Sequence, residues 1–168
     1  KPSKRGEYEI TDAIQGLINN SVKVQHMRVD GWWKDTGLPK DLIEANKLLL
    51  EDIKTKIDGK MSGGRLNGKV IIEKDAIVEN SYIEGPVYIG EGSVVRNSNI
   101  SAGTSVGKNC HLNTVDIGNS IIMDKCTLSA VSYPMSDCLI GEGCTVEGNV
   151  DSRLNIVLGD RSVLAVPD

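Results

Sequence analysis

The sequence has 168 residues and a formal net charge of −4, and it is 39% hydrophobic and 25% charged. That is the balance of a globular protein with one large domain or two small ones, long enough to bury a sizeable core. Lys and Arg are scattered with no basic stripe, so nucleic acid is not an expected partner. No apolar run approaches the ~18 residues of a membrane span, so none is expected to cross a membrane.

The opening residues, "KPSKRGEYEITD", contain no initiating Met and no signal peptide. They read as mid-protein, so a fragment of a longer chain is expected. "ITDAIQGLINN" places Ile14, Leu17 and Ile18 on one helical face, with Thr11 or Asp12 as N-cap. "SVKVQHMRV" predicts a short strand with Val22 and Val24 on one side. "GWWKDTG" follows and holds both tryptophans, Trp32 and Trp33, beside Asp35, in a chain with no phenylalanine. "LPKDLIEANKLLLEDIKTKI" predicts a helix with Pro39 in its first turn and Leu42, Ala45, Leu49, Ile53 and Ile57 along one face. "DGKMSGG", residues 58–64, predicts a break. Two domains are expected: 1–57, mixed α and β and ending in the connecting helix, and 65–168.

Past the break the helical period vanishes and a repeat begins. Val78, Val95 and Leu112 lie 17 apart, as do Ile83, Ile100 and Ile117, and Ile72, Ile89 and Val106. Within each 17 the aliphatic spacing is 6, 5, 6, and an Asn-Ser pair recurs at Asn80, Asn97 and Asn119. This is the hexapeptide signature of a parallel β-helix. Three short strands make one triangular coil, and each aliphatic residue stacks on its copy about 4.8 Å away in the next coil. Small inward residues are expected at Ala76, Val87, Ser93, Thr104, Cys110, Cys126 and Cys144, which gives three of the four cysteines a packing role. Gly90, Gly107, Gly118 and Gly141 are expected to supply permissive backbone at turns. The narrow interior fits the absence of Phe. "TLSAVSYPMSDCL", residues 127–139, predicts a loop or looser coil, and the Leu42–Ile57 helix is placed over an open end of the β-helix.

The cysteines form no CxxC pair and there are only two histidines, which argues against zinc and against a secreted disulfide framework; a cytoplasmic protein fits best. On the β-helix His111 is the one candidate for the general base that an acyltransferase needs, against a reading as a solvated surface residue. His26 reads as structural. Asp35 reads either as an Asx-turn or as a Mg²⁺ ligand acting beside substrate phosphates. Arg5, Glu7, Glu9 and Asp12 read either as charge compensation at a helix N-terminus or as part of a site.

In order, "KPSKRGEYEITDAI", "GWWKDTG", "DLIEAN" and a hexapeptide helix resemble the C-terminal part of the nucleoside-diphosphate-sugar pyrophosphorylases, most closely the long form of glucose-1-phosphate thymidylyltransferase. The ending "IVLGDRS" resembles that family too. The resemblance implies a left-handed β-helix preceded by an α/β remnant of a nucleotidyltransferase domain. It implies Mg²⁺ as cofactor with Asp35 among its ligands, and Arg5 near the sugar phosphate as a catalytic residue. It also implies that Trp33 lies at the sugar pocket, with Glu9, Thr11 and Asp12 shaping the rim. The reaction implied joins a sugar-1-phosphate to a nucleoside triphosphate with release of pyrophosphate.

The family's Gly-rich nucleotide loop and its other metal aspartate are missing here. "MSGGRLNG" does not replace that loop, because it lacks the Thr-Arg and does not sit between a strand and a helix. The segment alone is therefore expected to be inactive, with its β-helix serving oligomerisation, as a trimer through flat faces that include Tyr88, or regulation. A bifunctional enzyme with a sugar acyltransferase site and a non-catalytic scaffold are the alternatives.

Overall fold

A stacked repeat needs only its own neighbours to fold, and most of this chain is built that way. The computed structural model describes residues 2–4, 6–148 and 155–166. The chain divides into two compact units, Lys1–Trp33 and Lys34–Asp168.

In the first unit a tight turn opens the chain: the Ser3 N–H donates to Glu7 O at 2.7 Å and the Gly6 N–H to Ser3 O at 2.9 Å. Helix α1 runs Ile10–Asn19 with Glu9 at the N-cap position. Thr11 and Asp12, the expected caps, lie inside its first turn instead. The helix ends where the Asn20 side chain donates to Gly16 O at 2.7 Å. None of its residues is buried, and Ile10, Ile14, Leu17 and Ile18 all face solvent. Residues 22–30 form no strand. Val22 and Val24 supply a strand's alternation, but among the described residues no neighbouring strand pairs with them, and an unpaired strand has no ladder to hold it.

The second unit is a parallel β-solenoid. One sheet stacks Lys56–Ile57, Val70–Ile72, Val87–Ile89, Thr104–Val106, Ile121–Ile122, Leu139–Ile140 and Val157–Leu158. The other runs from Lys60–Asn67 through Ile77–Glu84, Val94–Arg96 with Asn99–Ile100, His111–Gly118, Thr127–Ser136 and Thr145–Gly148 to Val163–Val166, and its longer strands bend to cover two faces. The register confirms the repeat. Ile57, Ile72, Ile89, Val106, Ile122, Ile140 and Leu158 stack in one column. Met61, Val78, Val95, Leu112, Leu128, Val146 and Leu164 form the second. Leu66, Ile83, Ile100, Ile117 and Met135 form the third. All are buried except Ile57, Met61, Leu66, Leu158 and Leu164 in the terminal coils, and the largest fully buried side chains are Ile, Leu and Met.

All seven expected small inward residues are buried. The thiols of Cys110, Cys126 and Cys144 each donate at 3.0 Å to a carbonyl of the next coil, those of Met123, Gly141 and Gly159. Cys138 joins a neighbouring inward column, its N–H donating to Ser120 Oγ at 3.0 Å.

Three expectations are corrected. Gly90, Gly107, Gly118 and Gly141 do not adopt positive φ. Gly90, Gly107 and Gly141 are needed for space, since a Cβ at Gly90 would stand 2.5 Å from Gly107 O, one at Gly107 2.5 Å from Asp124 Oδ1 and one at Gly141 2.6 Å from Asp160 Oδ1. The left-handed turns fall instead on such residues as Asn80, Asn97 and Asn119, with φ of 48°, 49° and 46°. Residues 127–136 are a ten-residue strand, so of the two expected alternatives the loop is ruled out and the looser coil holds. Its register slips between Val131 and Met135, where it carries more residues than Val115–Ile117 opposite, so a bulge absorbs the insertion. Residues 58–64 are no break: strand pairing begins at Lys56, and Gly63-Gly64 turns a corner at φ of 66° and 75°.

Helix α2, Pro39–Glu51, lies along the flank and does not cover an end. Its Asn46 side chain donates to Gly103 O at 2.9 Å and accepts from Ser105 Oγ at 2.6 Å. The Lys69 ammonium donates to Glu51 O at 2.5 Å, while the N-terminal turn shares a groove with Asn119, Asp137 and Val157. The helix therefore runs across successive coils, opposite to their order. Ile43 and Leu50 are its buried residues, and Leu49, expected to be inward, is 61% exposed. Among the described residues no helix is long and apolar enough to cross a membrane.

Candidate functional site

The segment "WKDTG" enters α2 through Leu38, whose N–H donates to Asp41 Oδ2 at 3.1 Å, so the helix's own third residue satisfies an end donor. Lys34 reaches the same turn. Its ammonium lies 3.3 Å from Asp41 Oδ1 and also contacts the Glu44 carboxylate. The hydrogen bond to Glu44 holds the Lys34 ammonium above its ordinary pKa, so it stays charged throughout the neutral range. Sequence reasoning passed over Lys34. The signal was there, since Asp41 and Glu44 lie three apart at the start of a helix, on one face.

Asp35 is exposed, and among the described residues no hydrogen bond or ion pair engages its carboxylate. One of its oxygens lies 3.7 Å from where a Cβ on Gly37 would stand, so the carboxylate curls back over the Thr-Gly turn. A single uncommitted carboxylate is the donor that Mg²⁺ takes when it keeps its waters and shares substrate phosphates. Among the described residues no group of three or more His, Cys, Asp or Glu side chains is placed to hold a metal ion. The exposed Asp35 carboxylate fits as one ligand of such an ion.

Of the other expected site residues, Glu9, Thr11 and Asp12 share the start of α1, with Glu9 half-buried and the other two exposed. Trp33 closes the first unit and is 79% exposed. Arg5 lies outside the described residues. His111 is exposed on the solenoid, in the outward column between Val94 and Thr127. Among the described residues its ring has no hydrogen-bond partner to fix a tautomer, the support that a general base normally receives. The Gly-Gly pair of "MSGGRLNG" is packed tight, since a Cβ at Gly64 would stand 2.0 Å from Ser81 O. Its glycines serve coil stacking and leave no cradle for phosphate.

Residues 1–52 match the nucleotidyl transferase family. Along nearly its whole length the chain is similar to the low-salt glycan biosynthesis nucleotidyltransferase Agl11 of Haloferax volcanii, at 43% identity over 98% of this chain and 47% of that protein. It is 37% identical to a glucose-1-phosphate thymidylyltransferase of Streptomyces antibioticus, over 99% of this chain and 47% of that one. It is 43% identical to the bifunctional protein GlmU of Methanocaldococcus jannaschii, over 97% and 40% respectively. The chain thus spans just under half the length of the curated relatives it matches. Two of these three carry nucleotidyltransferase names.

Proposed function

We propose that this chain is the C-terminal part of a sugar-1-phosphate nucleotidyltransferase that converts glucose-1-phosphate and dTTP to dTDP-glucose and pyrophosphate. The observation that carries the reading is the "WKDTG" loop, with its exposed and uncommitted Asp35 carboxylate, in a chain whose residues 1–52 match that family. Two further observations support it. Two of the relatives carry nucleotidyltransferase names. The apolar face of α1 has nothing buried on it, as expected of a helix whose core lies in further sequence of the same domain.

In this reading a phosphate oxygen of the sugar-1-phosphate attacks the α-phosphorus of the nucleotide, and the bond to the β-phosphate oxygen breaks to release pyrophosphate. Asp35 holds Mg²⁺, which when bound neutralises phosphate charge. Arg5 binds the sugar phosphate, Trp33 packs against the sugar, and Glu9, Thr11 and Asp12 shape its rim. Positioning and charge neutralisation carry the rate. The solenoid serves assembly or regulation. Oligomerisation through its faces, as a trimer, belongs to the proposal, although the face that contains Ser105 already carries α2.

The test is pyrophosphate release by the full-length enzyme with glucose-1-phosphate, Mg²⁺ and each nucleoside triphosphate in turn. Turnover with dTTP is expected, and no turnover with any triphosphate would overturn the reading. The second reading, an acyltransferase site on the solenoid, is favoured by the bifunctional name of one relative. It rests on His111, so acetyl transfer from acetyl-CoA that Asp35→Asn leaves untouched and His111→Asn abolishes would establish it.

A further inference from the structure

Asp35 sits on a short loop with no ladder to fix it, yet a metal-binding carboxylate must be held to a fraction of an ångström. What holds this loop is visible one residue away. The Lys34 side chain turns from the loop to α2 and lies between Asp41 and Glu44, with Lys34 27% and Asp41 19% exposed. Asp41 uses its other oxygen to accept the Leu38 N–H, so one carboxylate closes both the helix start and the lysine contact. The helix is fixed in turn. The Asn46 amide bonds Gly103 O and Ser105 Oγ, Ile43 and Leu50 are buried, and Lys69 bonds the Glu51 carbonyl at the far end. A continuous set of contacts therefore runs from the stacked coils through α2 to the residue before Asp35.

We infer that Lys34 is a positioning residue for Asp35. Clamped between Asp41 and Glu44, it fixes the Asp35 loop to a helix that the solenoid holds rigid. The inference rests on the reading of Asp35 as a metal-binding residue. It gives the solenoid a part in the reaction besides assembly. It also separates Lys34 from the ordinary reading of a lysine in a phosphate-handling sequence, which is direct contact with substrate. The ammonium here is committed to two carboxylates of α2, and its charge is compensated before any phosphate arrives.

The experiment uses the full-length enzyme with Lys34→Met, Lys34→Arg, Asn46→Ala and Asp35→Asn, titrated with Mg²⁺ at saturating substrates. Lys34→Met is expected to raise the Mg²⁺ concentration for half-maximal velocity by about tenfold, the low end of what partners of metal ligands command. Its velocity at saturating Mg²⁺ and its KM for the sugar phosphate stay near wild type. Lys34→Arg, which keeps charge and reach, restores the Mg²⁺ response. Asn46→Ala moves it the same way by less.

Amide exchange at residues 35–37 supplies a readout independent of turnover. It quickens in Lys34→Met and not in Lys34→Arg, while circular dichroism of the solenoid stays the same. A Lys34→Met enzyme with the wild-type Mg²⁺ response, beside an Asp35→Asn enzyme that has lost it, overturns the positioning role alone. A Lys34→Met enzyme that loses velocity or sugar-phosphate affinity at unchanged Mg²⁺ response shows direct substrate contact and also overturns it. An Asp35→Asn enzyme with an unaltered Mg²⁺ response overturns the reading of Asp35 and the inference with it.

Discussion

The two units use the same aliphatic residues to opposite ends. In the solenoid, Ile72, Ile83, Ile89, Ile100 and Ile117 are entirely buried, each covered by its copy in the next coil. In α1, Ile10, Ile14, Leu17 and Ile18 remain in contact with water. The difference lies in where the partner is in the sequence. A solenoid residue finds its partner about 17 positions away, so the fold closes within the repeat. The apolar face of α1 has no such partner within its unit. Self-sufficiency is thus a property of the repeat, and the first unit is the part whose stability depends on something else.

The largest contrast is chemical. All four cysteines are buried in the solenoid. Contact with the Cys110 thiol, then burial, pushes Cys126 up, and burial pushes Cys138 up. Both are therefore protonated and unreactive at neutral pH. A disulfide-exchange reagent at pH 8 is expected to titrate no thiol rapidly in the native chain and all four in denaturant; rapid native reaction would break the contrast. Next, Ile100→Ala is expected to cost about 2–5 kcal/mol in denaturant unfolding of the solenoid.

Smaller effects separate two kinds of corner. Gly107→Ala meets backbone of the next coil at 2.7 Å and should cost about 1–3 kcal/mol by overpacking. Asn97 has room but holds φ at +49°. Asn97→Val should therefore cost about 1–2 kcal/mol, with Asn97→Gly near neutral. Smallest of all, Ile14→Ser is expected to leave the solenoid melt within about 0.5 kcal/mol.

The same contrast decides what the sequence reveals. Solenoid columns are legible because inward residues recur at a fixed interval, and even Ala76, Ser93 and Cys110 can be placed from one alignment of repeats. The bulge at 131–135 is not legible, since an inserted residue or two looks like a lost repeat until a neighbouring strand supplies the register. The glycine roles were exchanged for a similar reason: crowding at Gly107 comes from Asp124, a coil away, and leaves no local mark. Helix α2 is expected over an end because an open coil needs a cap, whereas Ile43 and Leu50 are buried on it and Asn46 ties it to Gly103 and Ser105 on the flank. In the candidate site the motif around Asp35 draws attention to it, and its carboxylate is exposed. Lys34 carries a signal too, in Asp41 and Glu44 three apart on one face of the helix that follows, but no motif singles it out. The strand expected over "SVKVQHMRV" needs a pairing neighbour, and among the described residues none is there.

The comparison is tested most directly by native-state hydrogen exchange on the 168-residue chain, resolved by residue. The account predicts that amides of Ile10–Asn19 exchange at close to unprotected rates, while those of His111–Gly118 and Thr127–Ser136 open only with global unfolding. Protection of α1 equal to that of the solenoid strands would contradict it, because the first unit would then have a core of its own.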